Sequence, residues 1–119
     1  MTRDMLIDIA KEAATRKNDH RNFMIGAAAI RSDGTVVRSY NGPVIMYNET
    51  HKTFPQAHAE ARLSRKLDKG SVVFVCRVRT NGEFAMAKPC HDCMRALAAR
   101  GVKKVYYTVD DNRIESHTF

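Results

Sequence analysis

The chain has 119 residues, 44% of them hydrophobic, with 20 Lys+Arg against 13 Asp+Glu and a formal net charge of +7. That size and composition suit one compact globular domain, residues 1–119, and three cysteines argue against a disulfide framework and for a reducing compartment. No apolar run is long enough to span a bilayer and no signal-peptide pattern opens the sequence, so a cytosolic location is expected. The positive charge suits phosphate or polyanion partners, or simply a solvated basic surface. Arg16-Lys17, Arg65-Lys66 and Lys103-Lys104 are spread along the chain rather than gathered in one tract.

Residues 4–17 read as an amphipathic helix, with Met5, Leu6, Ile9, Ala10 and Ala13 at helical spacing and Asp8, Lys11 and Glu12 between them. Asn18 to Asn22 break it. Residues 23–30 and 36–40 read as a β-hairpin turned at Asp33-Gly34. Asn41-Gly42-Pro43 ends the second strand, and residues 43–56 form a loop leading into His58. A helix is expected from Ala57 to about Asp68, with Arg62, Arg65 and Lys66 on its outer face and Lys69-Gly70 at its end. The β-branched run Val72–Val78 reads as a central strand, with Cys76 inside it as a small core residue. Thr80 to Glu83 turn the chain, and Phe84 to Lys88 lead into Pro89. The next helix, about Cys90–Arg100, is expected to bury Met94, Leu97 and Ala98 and to stop at Gly101. Val102 to Thr108 form a strand parallel to Val72–Val78 through the helical crossover. The residues after it suit a short hairpin and a last, antiparallel strand.

Two motifs carry chemistry: His58-Ala59-Glu60 and Pro89-Cys90-His91-Asp92-Cys93. Each is weak alone, because Cys-x-x-Cys can be a redox pair or half a structural zinc site. Together they offer two thiolates, an imidazole and a carboxylate. Two Cys and one His hold zinc with a fourth position left for water, and the metal brings that water's ionisation towards neutral pH. Glu60, close to the metal without binding it, suits a proton shuttle. Cys90 and Cys93 are three apart and share one helix face. Pro89 suits a helix start, and a helix N-terminus favours thiolates. His58 and Glu60 would diverge inside a helix but can converge in front of its first turn, so the site is read as two helix N-termini facing each other. A structural zinc site would need a fourth ligand, for which Cys76, His91, His51 and His20 are candidates.

This order of motifs resembles the His-x-Glu…Pro-Cys-x-x-Cys signature of zinc-dependent deaminases, and over about residues 22–108 the chain resembles the cytidine deaminase superfamily. The resemblance implies one zinc per chain on His58, Cys90 and Cys93, with Glu60 as catalyst. Asn22 to Ala28 is similar to the family's first strand, whose phenylalanine packs beside the pyrimidine. That implies a substrate contact for Phe23; a plain core aromatic is the alternative. Asn41 would bind the sugar, since an amide both donates and accepts; a turn residue is the alternative. The usual Asn-x-Glu-Asn phrase of cytidine deaminases is absent here, and Tyr40-Asn41-Gly42 is also similar to deoxycytidylate deaminases, so this stretch points both ways. Ala59 joins the implied substrate contacts. Within the superfamily, antiparallel last strands belong to free-nucleoside cytidine deaminases and to some nucleic-acid-deaminating toxins. Parallel ones belong to the deoxycytidylate, guanine and tRNA-adenosine branches. Members are commonly oligomers whose pockets neighbouring subunits complete, so a homo-oligomer is expected.

The expected architecture is a three-layer α/β/α domain around a five-stranded mixed sheet with an antiparallel last strand. The leading function is deamination of cytosine to uracil in a free nucleoside or nucleotide. The runner-up is cytosine deamination in single-stranded DNA or RNA, motivated by the basic charge. A third reading is an inert zinc domain that binds nucleic acid, against which Glu60 speaks.

Overall fold

A computed structural model describes residues 3–15, 24–40, 59–79 and 81–119. The elements in chain order are α1 (Arg3–Thr15), β1 (Met24–Ile30), β2 (Val36–Tyr40), α2 (Ala59–Ser64), β3 (Val72–Val78), β4 (Phe84–Ala85), α3 (His91–Ala99), β5 (Lys104–Asp110) and β6 (Arg113–Thr118). The main sheet path runs β2-β1-β3-β5-β6, with β4 paired to β3. Among the described residues only the β3–β5 pairing is parallel; β1–β2, β1–β3, β3–β4 and β5–β6 are antiparallel. The expected mixed sheet with an antiparallel last strand is therefore present. The five expected strands form the path, and among the described residues a short sixth lies off it: Phe84-Ala85, expected to be a plain lead-in, pairs with Arg77-Val78.

Strand periodicity sorts the core into two layers. Ala27, Ala29, Val73, Val75, Val105 and Tyr107 point to one face and pack with Ala59 and Leu63 of α2 and Leu97 of α3. Ala28, Phe74, Cys76 and Val78 point to the other and pack with Leu6, Ala10 and Ala14 of α1. β3 is central, and Val73 to Cys76 are all fully buried, which is why its sequence is continuously apolar instead of alternating. Full burial of side chains such as Phe74, Leu63 and Leu97 contributes roughly 1.5–3 kcal/mol each.

Several boundaries and faces differ from expectation. α1 buries Leu6, Ala10, Ala13 and Ala14, while Met5 is half exposed, so the apolar stripe lies one position round from the expected one. α2 stops at Ser64, short of Asp68, and the chain turns through Arg65 and Lys66 before Gly70 takes a left-handed conformation. In α3, Cys93 and Leu97, one turn apart, form the buried stripe and Ala98 is exposed. That helix closes as expected at Gly101: Gly101 N–H donates to Ala98 O (3.0 Å) and Val102 N–H to Leu97 O (3.2 Å), a Schellman pair around a left-handed glycine. The turn at Asp33-Gly34 also forms, with Arg31 N–H donating to Thr35 O (2.8 Å). Its loop is tied to the α2–β3 connection by Ser32, whose N–H and hydroxyl donate to Asp68 at 3.0 and 2.7 Å. These bonds hold the Asp68 carboxyl down to about 2.

Gly26 sets the approach of α1 to the sheet. A Cβ there would fall on the Ala10 carbonyl oxygen and lie 2.6 Å from the Ala14 nitrogen, both backbone atoms of α1. Gly26→Ala is therefore expected to destabilise the fold by about 3 kcal/mol, the upper end of ordinary overpacking, because a helix must move rather than a side chain. Denaturant unfolding measures this; a loss below about 1 kcal/mol would mean that α1 does not rest on β1.

Candidate active site

Topology brings Glu60 and the Cys90–Cys93 stretch to one end of the molecule. β3 and β5 are parallel and in register from Val72↔Lys104 onwards. α2 leads into the start of β3 and α3 into the start of β5, so both helices end at the same pole. The hydrogen bond from Gly70 N–H to Gly101 O (2.8 Å) joins the two helix-to-strand loops there. α2 and α3 pack together on one face of the sheet. Their N-termini therefore share the opposite pole, beyond the carboxyl ends of β3 and β5, where open α/β sheets place their ligands.

α2 begins at Ala59, so Glu60 lies in its first turn, 5% exposed. A buried carboxylate is costly unless its surroundings compensate it, and such placement is characteristic of a working group rather than a solubilising one. Ala59 is fully buried, and its carbonyl accepts a hydrogen bond from the buried Ser39 hydroxyl near the end of β2. Ser39 thus pins the peptide next to Glu60 to the sheet. Arg62 and Lys66 add outer ties from α2 to β2: Arg62 donates to Tyr40 O (3.2 Å) with its guanidinium 5.3 Å from the Tyr40 ring centre, and Lys66 donates to Arg38 O (2.8 Å).

At the second motif the cap differs from expectation. Cys90 is the N-cap of α3, with extended backbone (φ −68°, ψ 169°), and its carbonyl accepts Met94 N–H at 2.9 Å. Pro89 is buried one residue further out and so does not occupy the first helical position. A helical start at Pro89 would have put Cys90 inside the first turn. As an N-cap, Cys90 is exposed, while Cys93, three residues on, is fully buried. Both thiols still flank the exposed N–H groups of one helix start.

The remaining cysteine is excluded from this centre by sidedness. Cys76 belongs to the α1 face of the sheet, and burial pushes its thiol up to about 12, so it stays protonated. No disulfide joins cysteines among the described residues. His91 is exposed at the first position of α3. His58, Phe23, Asn41, His20 and His51 lie outside the described residues, and among the described residues no three His, Cys, Asp or Glu side chains gather as a metal site. The donors that are described, two thiols at the start of one helix, fit a zinc ion in type.

Residues 1–109 match the cytidine and deoxycytidylate deaminase zinc-binding region. The chain belongs to this family. No curated protein sequence matches it. Among solved structures, a cytidine deaminase from Burkholderia pseudomallei is similar over 99% of this chain and 93% of that one, with 22% identity and a TM-score of 0.70. A mutant cytidine deaminase from Mycobacterium tuberculosis is similar over 91% of this chain and 85% of that one, again with 22% identity, and a TM-score of 0.59. The likeness is one of fold. Family membership makes this a zinc-binding deaminase domain, and no helix among the described residues is long and apolar enough to cross a membrane.

Ser39 and Thr108 were not legible as site residues in the sequence. Their hydroxyls act through partners 20 and 23 positions away, which only the strand order brings close.

Proposed function

We propose that this deaminase hydrolyses cytosine to uracil and ammonia in a free nucleoside or nucleotide, with one zinc ion on His58, Cys90 and Cys93. When bound, zinc supplies a Lewis acid that makes water nucleophilic near neutral pH. Glu60 is the proton carrier: it takes a proton from the attacking water and delivers protons to the ring nitrogen and the departing amine. Its burial in the first turn of α2 keeps that carboxylate away from bulk solvent. Phe23, Asn41 and Ala59 contact the substrate in this reading. The Ala59 carbonyl is engaged by Ser39, and its N–H belongs to a helix start, where backbone donors have no intrahelical acceptor.

The observation that supports the free-nucleoside side of this reading is β6, which runs antiparallel to β5 over Lys104↔Thr118 to Asp110↔Arg113, an arrangement shared with some nucleic-acid-deaminating toxins. A parallel last strand would have favoured the deoxycytidylate and tRNA-adenosine branches. The positive charge is divided between the two poles: Arg77 and Arg79 lie at the carboxyl end of β3 and Lys88 two residues before Cys90. Arg65, Lys66, Lys69, Arg100, Lys103 and Lys104 follow the C-terminal ends of α2 and α3 or open β5, at the pole away from Glu60 and Cys90. Cations there complement helix C-termini.

Ammonia release from cytidine, deoxycytidine, deoxycytidine monophosphate and a cytosine-containing single-stranded oligonucleotide tests the reading. Free cytidine or deoxycytidine is expected to be converted, with kcat/KM nearly flat in salt. An enzyme that tracks single strands would instead lose affinity with a slope of roughly −0.7 per contacted phosphate. Conversion of the oligonucleotide alone, with nucleosides and nucleotides inert at millimolar concentration, would overturn it.

A further inference from the structure

The parallel pairing of β3 with β5 runs from Val72↔Lys104 to Val75↔Tyr107. Beyond it β3 takes β4 as its partner, at Arg77↔Ala85 and Val78↔Phe84. Thr108 is the next residue of β5, at the place where the two strands part, and it is fully buried. Its hydroxyl donates to Ala85 O at 2.7 Å and accepts Arg77 N–H at 3.4 Å, while its own carbonyl accepts Ala87 N–H at 2.9 Å. One residue thus grips two points of the segment 85–87 and bridges it to β3. Two residues after Ala87 comes Pro89, and then Cys90. A threonine hydroxyl can donate and accept at once, which a valine of the same shape cannot.

We infer that Thr108 is a positioning residue for the metal-binding cysteines: its hydroxyl holds Ala85, at the start of the segment that its main-chain carbonyl holds again at Ala87, so that Cys90 arrives at the start of α3 in a binding-ready place. This rests on the assignment of Cys90 as a zinc ligand. Groups that orient ligands without touching the metal typically change its affinity by about 10–100-fold.

The test follows zinc release from the zinc-loaded protein into excess chelator, alongside unfolding of each variant. Thr108→Val is expected to release zinc about ten-fold faster than the parent, and Thr108→Ser, which keeps the hydroxyl, at the parent's rate. Leu6→Ala removes buried packing on the α1 face and serves as the control for general destabilisation; it should leave release unchanged. Release from Thr108→Val at the parent's rate, or an equal acceleration by Leu6→Ala, would overturn the inference. Where Thr108→Val does not fold, Thr108→Ala, which also lacks the hydroxyl, decides: faster release supports the role, and release at the parent's rate sinks it. A parent protein that binds no zinc, or that keeps it in Cys90→Ala, would instead refute the metal-site assignment and the positioning role with it.

Discussion

Glu60→Ala is expected to fold, to keep its zinc and to lose nearly all turnover. The substitution removes the one buried carboxylate at the start of α2 while leaving His58, Cys90 and Cys93 intact. A proton-transfer group of this kind typically contributes about 10²–10⁴-fold to rate, and the loss should reach the upper end because one side chain serves successive transfers. The fall should appear in kcat, since Glu60 acts on protons moved in the reaction rather than on ground-state binding. Zinc content and thermal unfolding measured on the same preparation separate this from misfolding. A variant that kept half the parent's activity would make Glu60 a structural residue and end the mechanism.

Cys90→Ala should lose zinc, with activity abolished and stability lowered, because metal binding free energy adds to folding free energy wherever a site ties separate segments together. Cys93→Ala should do the same and cost more in stability, since Cys93 is fully buried whereas Cys90 is exposed. Cys76→Ser should retain one zinc per chain. Its thiol belongs to the α1 layer, on the other side of the sheet from α2 and α3. Metal analysis of the three variants decides the matter: full zinc in Cys90→Ala, or none in Cys76→Ser, would reverse the assignment.

Much of this protein was legible in its residues because the determining signals are local. The apolar run Val72–Val78, the Asp33-Gly34 turn and the Gly101 stop each specify an element within a few positions, and all three formed. The spacing in His58-Ala59-Glu60 and Cys90-His91-Asp92-Cys93 pointed to a metal-dependent hydrolytic site, since the chemistry needs those side chains near one another whatever the rest of the chain does. The antiparallel last strand was legible for a topological reason: a parallel return needs a crossover of a dozen or more residues, and too few separate β5 from β6.

The tertiary structure decided what depends on sidedness and distance. The Cys-x-x-Cys spacing and the apolar run already set Cys93 apart from Cys76; the strand register adds the sidedness, by turning Cys76 towards α1. Nothing in Phe84-Ala85 alone announces a strand, because its partner Arg77-Val78 becomes available only where β5 diverges from β3. Gly26 looked like one more small residue in an alanine-rich strand until the backbone of α1 was seen to occupy the space of its missing Cβ. Ser39 and Thr108 read as unremarkable strand hydroxyls, yet each is buried and donates to a main-chain carbonyl of a segment that carries one half of the motif. Spacing along the chain singles out the candidate groups; the hydrogen bonds from Ser39 and Thr108 run between distant segments and exist only once the sheet has been assembled.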